Sequence, residues 1–109
     1  MLKKQNRLAR VDNSLGKSFS SKLFNIKISK EALKEPKFAF VVSKKISKSA
    51  VKRNRTKRIL QSVIEQILEN VSKENKVVIY SKKELSFEQK EEVLRNIKDI
   101  FAKAKILKK

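Results

Sequence analysis

Cysteine, histidine and tryptophan are absent from this 109-residue chain, and glycine and proline occur once each, as Gly16 and Pro36. Without thiols or imidazoles there is no disulfide framework, no thiolate or imidazole metal centre, no cysteine nucleophile and no Ser-His-Asp relay. A single glycine excludes a Walker loop and a dinucleotide fingerprint, since each needs several glycines where backbone closes on phosphate. Long apolar runs are missing too. The longest is Phe38 to Val42, far short of the roughly 20 residues that span a bilayer. Met1-Leu2-Lys3-Lys4 is followed by Gln5, Asn6 and Arg7, where a signal peptide would turn apolar. The expectation is a cytoplasmic protein with no membrane partner. A hydrophobic content of 39% supports a modest core, hence one domain over residues 1–109, but not a large buried catalytic cavity.

What the chain has in excess is positive charge: 29 Lys and Arg against 11 Asp and Glu, a formal +18. The excess is polarised, with 18 basic and three acidic residues before position 64 and 11 against eight after it. It peaks at Lys44, Lys45, Lys48, Lys52, Arg53, Arg55, Lys57 and Arg58, a stretch without one acid. Scattered lysines commonly do no more than solvate a surface. Three of the six arginines, however, fall between positions 53 and 58, and arginine is favoured where planar, bidentate phosphate contacts are made. The footprint is that of a polyanion site, with nucleic acid the leading partner.

Hydrophobic periodicity places the elements. Phe24, Ile26 and Ile28 alternate with Asn25 and Lys27 as in a strand with one buried face. After a polar turn through Pro36, Phe38 to Ser43 reads as a second strand, with Phe38, Phe40 and Val42 opposite Ala39, Val41 and Ser43. The two are expected to pair as an antiparallel hairpin. Ile59, Leu60, Val63, Ile64, Ile67, Leu68 and Val71 recur at helical spacing, so the basic cluster forms the first half of a long helix capped by Ser47 or Ser49. Lys48, Lys52 and Arg55, spaced four and three apart, would share one side of it. Such a start opposes the helix dipole unless anions lie nearby. Val77 to Tyr80 reads as a short strand, and Ser86 with Gln89 as a capping box. A last helix then presents Val93, Leu94, Ile97, Ile100, Phe101 and Ala104 to the core. Its carboxylates, Glu88, Glu91, Glu92 and Asp99, are most simply a solvated surface. Phe19 and Tyr80 are read as packing. The class is α+β with a small sheet.

Phe38-Ala39-Phe40-Val41-Val42-Ser43-Lys44-Lys45, followed by Ala50-Val51-Lys52-Arg53-Asn54-Arg55-Thr56-Lys57-Arg58, resembles the protein subunit of bacterial ribonuclease P. That family carries an FGFVVSKK-like strand and then an R-N-R-x-K-R signature on the next helix. Similarity extends through Leu2-Lys3-Lys4, Asn6-Arg7-Leu8, Gly16-Lys17-Ser18-Phe19 and the Val77–Tyr80 strand with its terminal helix. The chain departs from the pattern in a shorter Leu8–Gly16 stretch without the usual two aromatics, in Ala39 for glycine, and in Lys27 where tyrosine is frequent.

The resemblance implies a ribosomal protein S5 domain 2-like fold, with the basic helix joining two parallel strands in a left-handed βαβ crossover. It also implies an endoribonuclease in which a large RNA with magnesium is the catalyst. The protein, with no catalytic residue, cofactor or metal of its own and no protein partner required, assists removal of the 5′ leader from precursor tRNA. Arg53, Asn54, Arg55 and Arg58 match the family signature, and Lys44, Lys45, Lys48, Lys52 and Lys57 extend the RNA-binding set. Lys27, Val41 and Ser43 fall on the strand faces that the resemblance assigns to the leader groove, although Val41 could equally pack beneath the helix. A ribosomal or other structural RNA-binding protein would show the same size, charge and lack of catalytic groups, and stands as the alternative.

Overall fold

The computed structural model describes residues 16–30 and 34–107. The stretch from Leu2 to Leu8, and any helix between Leu8 and Gly16, lie outside them. Four strands and two helices follow in the order β1 (Lys17–Ser20), β2 (Phe24–Lys30), β3 (Lys37–Val41), α1 (Ala50–Ile67), β4 (Asn75–Ser81) and α2 (Lys90–Lys103). The α+β class expected from the periodicity is what the chain forms.

The spatial order of the sheet is β1-β2-β4-β3, and it corrects one expectation. β2 and β3 do not make a hairpin: β4 lies between them, antiparallel to β2 and parallel to β3. The cause lies in β4 itself. Six of its seven residues are buried, and a strand buried on both faces belongs in the middle of a sheet. A parallel β3–β4 pair in turn needs a long connection crossing the sheet, and the 18 residues of α1 supply it. The irregular start expected before β2 also contains a strand, β1, antiparallel to β2 from Lys17↔Ile28 to Ser20↔Asn25.

One face of the sheet is covered. Phe24, Ile26, Ile28, Phe38, Val77 and Ile79 project toward Ile59, Leu60, Val63, Ile64 and Ile67 of α1 and Val93, Ile97, Ile100 and Phe101 of α2, forming a single apolar core. Phe19 and Phe40 pack at its edge. Val71 is not part of the long helix: a 3₁₀ turn, Leu68–Asn70, ends it, and Val71 instead bridges Leu107.

Polar groups position the helices. The Ser49 hydroxyl accepts the Lys52 amide at 3.3 Å, which makes Ser49 rather than Ser47 the cap of α1. Ser86 and Gln89 form the expected capping box, although a 3₁₀ turn, Phe87–Gln89, intervenes before α2. Thr56, fully buried on α1, accepts the buried Leu85 amide at 3.1 Å and so fastens the β4–α2 connection to the basic helix. Replacing Thr56 by the nearly isosteric valine strands that amide, and an unpaired buried donor costs about 1–3 kcal/mol. The expected outcome is a lowered midpoint in urea with the denaturant slope unchanged; an unchanged midpoint would show that this bond does not hold the connection.

Candidate nucleic-acid interface

The start of α1 is a helix end without an acid. No acidic residue lies in its first turn, while Lys52, Asn54, Arg55 and Arg58 stand exposed and Arg53 and Lys57 are half-buried. Four amides at a helix start lack intrahelical partners and attract anions, so cations massed there leave an electrostatic deficit that phosphate would relieve.

Lys44, Lys45 and Lys48 do not lie on the helix. They occupy the turn before it, all exposed, and Lys48 precedes the capping Ser49. The expectation that Lys48 shares a helical side with Lys52 and Arg55 therefore fails, because the hydroxyl that closes the first turn is one residue beyond it. The turn is itself ordered: the Ser43 carbonyl accepts the Ile46 and Ser47 amides at 3.1 and 3.2 Å. Arg53 then reaches back, its Nη1 donating to the Ser47 carbonyl at 2.9 Å. Of the two arginines in the R-N-R triplet, Arg53 thus holds the lysine turn against the helix, and Arg55 is free of any such duty in the described contacts.

The sheet's other face is uncovered by either helix. Strand register sets two rows across it, Ser20–Asn25–Tyr80–Val41 and Ser18–Lys27–Val78–Ala39. Two adjoining recesses of about 380 and 390 Å³ share Asn25 and Tyr80. The first also includes Val41, Ser43, Ile46 and Lys82, and the second Ser18, Ser20 and Lys27. Lys27, Val41 and Ser43 accordingly meet one surface, and Val41 lies on it rather than beneath the helix. Tyr80 corrects a further expectation. Instead of packing in the core it is half-buried on the open face, in the middle of the first row and the one aromatic of the two rows. Lys82 bounds the surface, its ammonium donating to Ser20 Oγ at 2.8 Å and to the Ser21 carbonyl at 2.6 Å. Sequence reading missed Asn25, Tyr80 and Lys82; the alternation of Asn25 with Phe24 and Ile26 is a signal that would have found the first. Because β3 runs from this face into the lysine turn, hydroxyl, amide and aromatic groups lead directly to the basic helix.

The Ribonuclease P family model matches residues 1–105, and a ribonuclease P protein component from a Pseudanabaena species is 33% identical over 98% of this chain and 97% of its own length. The chain belongs to the ribonuclease P protein family. A second ribonuclease P protein component, from Rippkaea orientalis, is 39% identical over 64% of this chain and 55% of its own. In fold, a Staphylococcus aureus RNase P protein mutant described as defective in mRNA degradation activity superposes with a TM-score of 0.77. At 16% identity, that match covers 95% of this chain and 92% of the other. The RNase P protein from Thermotoga maritima superposes at 0.60 with 18% identity, covering 82% and 80%. Membership brings a role in tRNA processing within a ribonucleoprotein, and a purely structural RNA-binding role is not favoured. Among the described residues no helix is long and apolar enough to cross a membrane.

The two signature arginines should separate in experiment. Arg53→Ala loses the bond to Ser47 and should cost about 1–2 kcal/mol of stability, whereas Arg55→Ala should leave the unfolding midpoint within error. Both should weaken binding to a ribonuclease P RNA. Equal midpoints for the two variants in parallel thermal melts would refute the holding role of Arg53.

Proposed function

We propose that the basic start of α1 binds the catalytic RNA of ribonuclease P and that the open face of the sheet receives the single-stranded 5′ leader of precursor tRNA. The observation that carries this reading is the continuity of the two surfaces through the Ser43–Ser49 turn. Lys44, Lys45, Lys48, Lys52, Arg55, Lys57 and Arg58 supply the cations for phosphate, Arg53 its remaining donors, and Asn54 an amide that can both give and accept a hydrogen bond. Lys27, Val41 and Ser43, joined by Asn25 and Tyr80, meet the leader; Tyr80 offers a π-face on which any base can stack.

Catalysis belongs to the RNA. Magnesium prefers oxygen ligands, and among the described residues no three acidic side chains gather as a group. On this reading the ion is held by the RNA's phosphates. The protein binds, orients and neutralises, in the cytoplasm where precursor tRNA is made. Rigorously RNA-free protein should leave precursor tRNA intact, and adding the protein to a ribonuclease P RNA at low magnesium should restore leader release. Cleavage by the protein alone would overturn this assignment.

With Lys27 in place of a frequent aromatic, leader contact should rest more on phosphate attraction than on stacking. If roughly three phosphates are neutralised, log affinity should fall with log salt at a slope of about −2. Titration of leaders of increasing length into reconstituted holoenzyme, with Lys27→Ala and Lys45→Ala beside the unaltered chain, measures it. A leader-dependent gain insensitive to salt and to both substitutions would exclude the sheet face as the leader site.

A further inference from the structure

At the opposite end of the sheet from the start of α1 lies a cavity of about 590 Å³, within the range of small-ligand sites, roughly 300–1,000 Å³. Its walls are of three kinds. Phe19, Ile28 and Ile106 are its apolar residues, Lys17, Lys30 and Lys105 its cationic ones, and Asn75 lines it as well.

Asn75 is 3% exposed, and its Nδ2 donates to the Ser72 carbonyl at 3.1 Å, which orients the amide. Its Oδ1 is the one buried side-chain acceptor among the described residues without a partner. A buried acceptor left unpaired is unfavourable and calls for explanation. The surrounding backbone is tightly joined: the Ser72 amide donates to the Ile106 carbonyl at 2.7 Å, and Asn75 pairs with Lys30 across β2 and β4.

Lys105 is the second anomaly. It follows α2 with a φ of 60°, the one positive-φ residue among those described. Its amide and that of Ile106 close the helix onto the Ala102 and Phe101 carbonyls at 3.1 Å each. Glycine is the residue normally found at this helix-ending position because it has no Cβ to clash. Lysine adopts the conformation at a cost in backbone strain, and strain retained in a fold often marks a functional position. Here it brings an ammonium to the cavity. Among the described residues the one acid lining the adjoining recess, Glu74, is accompanied by Lys73.

We propose that this cavity holds one unstacked nucleotide of an RNA strand. An amine-bearing base lies against Phe19, Ile28 and Ile106 and, once the side chains that seal that oxygen yield to it, donates to Asn75 Oδ1, while its phosphate lies among Lys17, Lys30 and Lys105. Exocyclic amines of adenine, cytosine and guanine are donors of the required kind, and splayed bases read along their edges are a common form of RNA recognition. The proposal rests on the family reading that the partner is RNA, but it does not depend on which surface meets the catalytic RNA or the leader.

Titration of the full chain with 5′-AMP, followed residue by residue in ¹⁵N–¹H spectra, tests it. The Asn75 side-chain amide and the Ile106 amide should shift together and saturate. Purine riboside 5′-monophosphate, which lacks the amine, should bind about tenfold more weakly, and inorganic phosphate should leave the Asn75 side-chain amide unmoved. Lys105→Gly should raise the melting temperature by relieving the backbone while weakening 5′-AMP roughly threefold, and Lys30→Ala, on an exposed side chain, should weaken it similarly with the melting temperature unchanged. Equal affinity for the two nucleotides, shifts confined to α1, or unaltered binding in both variants would overturn the proposal. Reconstituted cleavage, measured on the same preparations, would show in those cases that the ribonuclease P reading survives.

Discussion

The burial of β4 on both faces is the constraint on which the remaining structure depends. Asn75 to Ser81 can satisfy its backbone only by pairing along both edges, with β2 on one side and β3 on the other. Once β4 is central, the chain leaving β3 must cross the sheet to reach it, and α1 has to lie across the face presented by Phe24, Ile26, Phe38, Val77 and Ile79. α2 then completes the cover. The other face, with Asn25, Lys27, Val41 and Tyr80, is left uncovered by both helices by the same step. Core and groove are two sides of one pairing decision.

That arrangement also fixes where the charge goes. The apolar stripe of α1 starts at Ile59 and is preceded by the buried Thr56, so the helix's first half contributes one buried side chain and leaves its cations exposed or half-buried. Charges of this sign at a helix start cost a few tenths of a kcal/mol to about 1 kcal/mol each at low salt. The fold meets the cost with specific local bonds: the Ser49 cap, the Arg53 contact to Ser47, and the Thr56 link to Leu85. Each holds a basic segment rigid without neutralising it, which suits a surface whose counter-charges arrive with an RNA.

The signature segment is therefore less uniform than its composition suggests. Thr56 within it is a core hydrogen-bond acceptor, Arg53 a brace, and Asn54, Arg55 and Arg58 are the groups left facing outward. A run that reads as a single basic motif divides into structural and exposed positions once the helix is docked, because helical periodicity turns every third or fourth residue toward the sheet.

Local regularities made the two helices, the Ser86–Gln89 box, the alternation of β2 and the basic start of α1 legible from the residues alone: each depends on neighbours within about one turn or one strand. The resemblance in Phe38–Arg58 extended that reading to the parallel crossover, which periodicity could not reach. The β2–β3 hairpin was misread because adjacency in the chain stands in for adjacency in space only when no later strand competes for the same edge. β1 went unseen because Lys-Ser-Phe-Ser holds one apolar residue and pairs only once β2 is in place. Tyr80 and Asn75 were obscured for a related reason. In a strand buried on both faces the polar–apolar alternation disappears, so neither the open side of Tyr80 nor the unpaired oxygen of Asn75 has a mark in the sequence. The sequence by itself determined a small, highly basic α+β chain with one anion-seeking helix. Tertiary structure alone decided which strand is central, which arginine is a brace and which aromatic faces outward, because those depend on pairings between residues far apart in the chain.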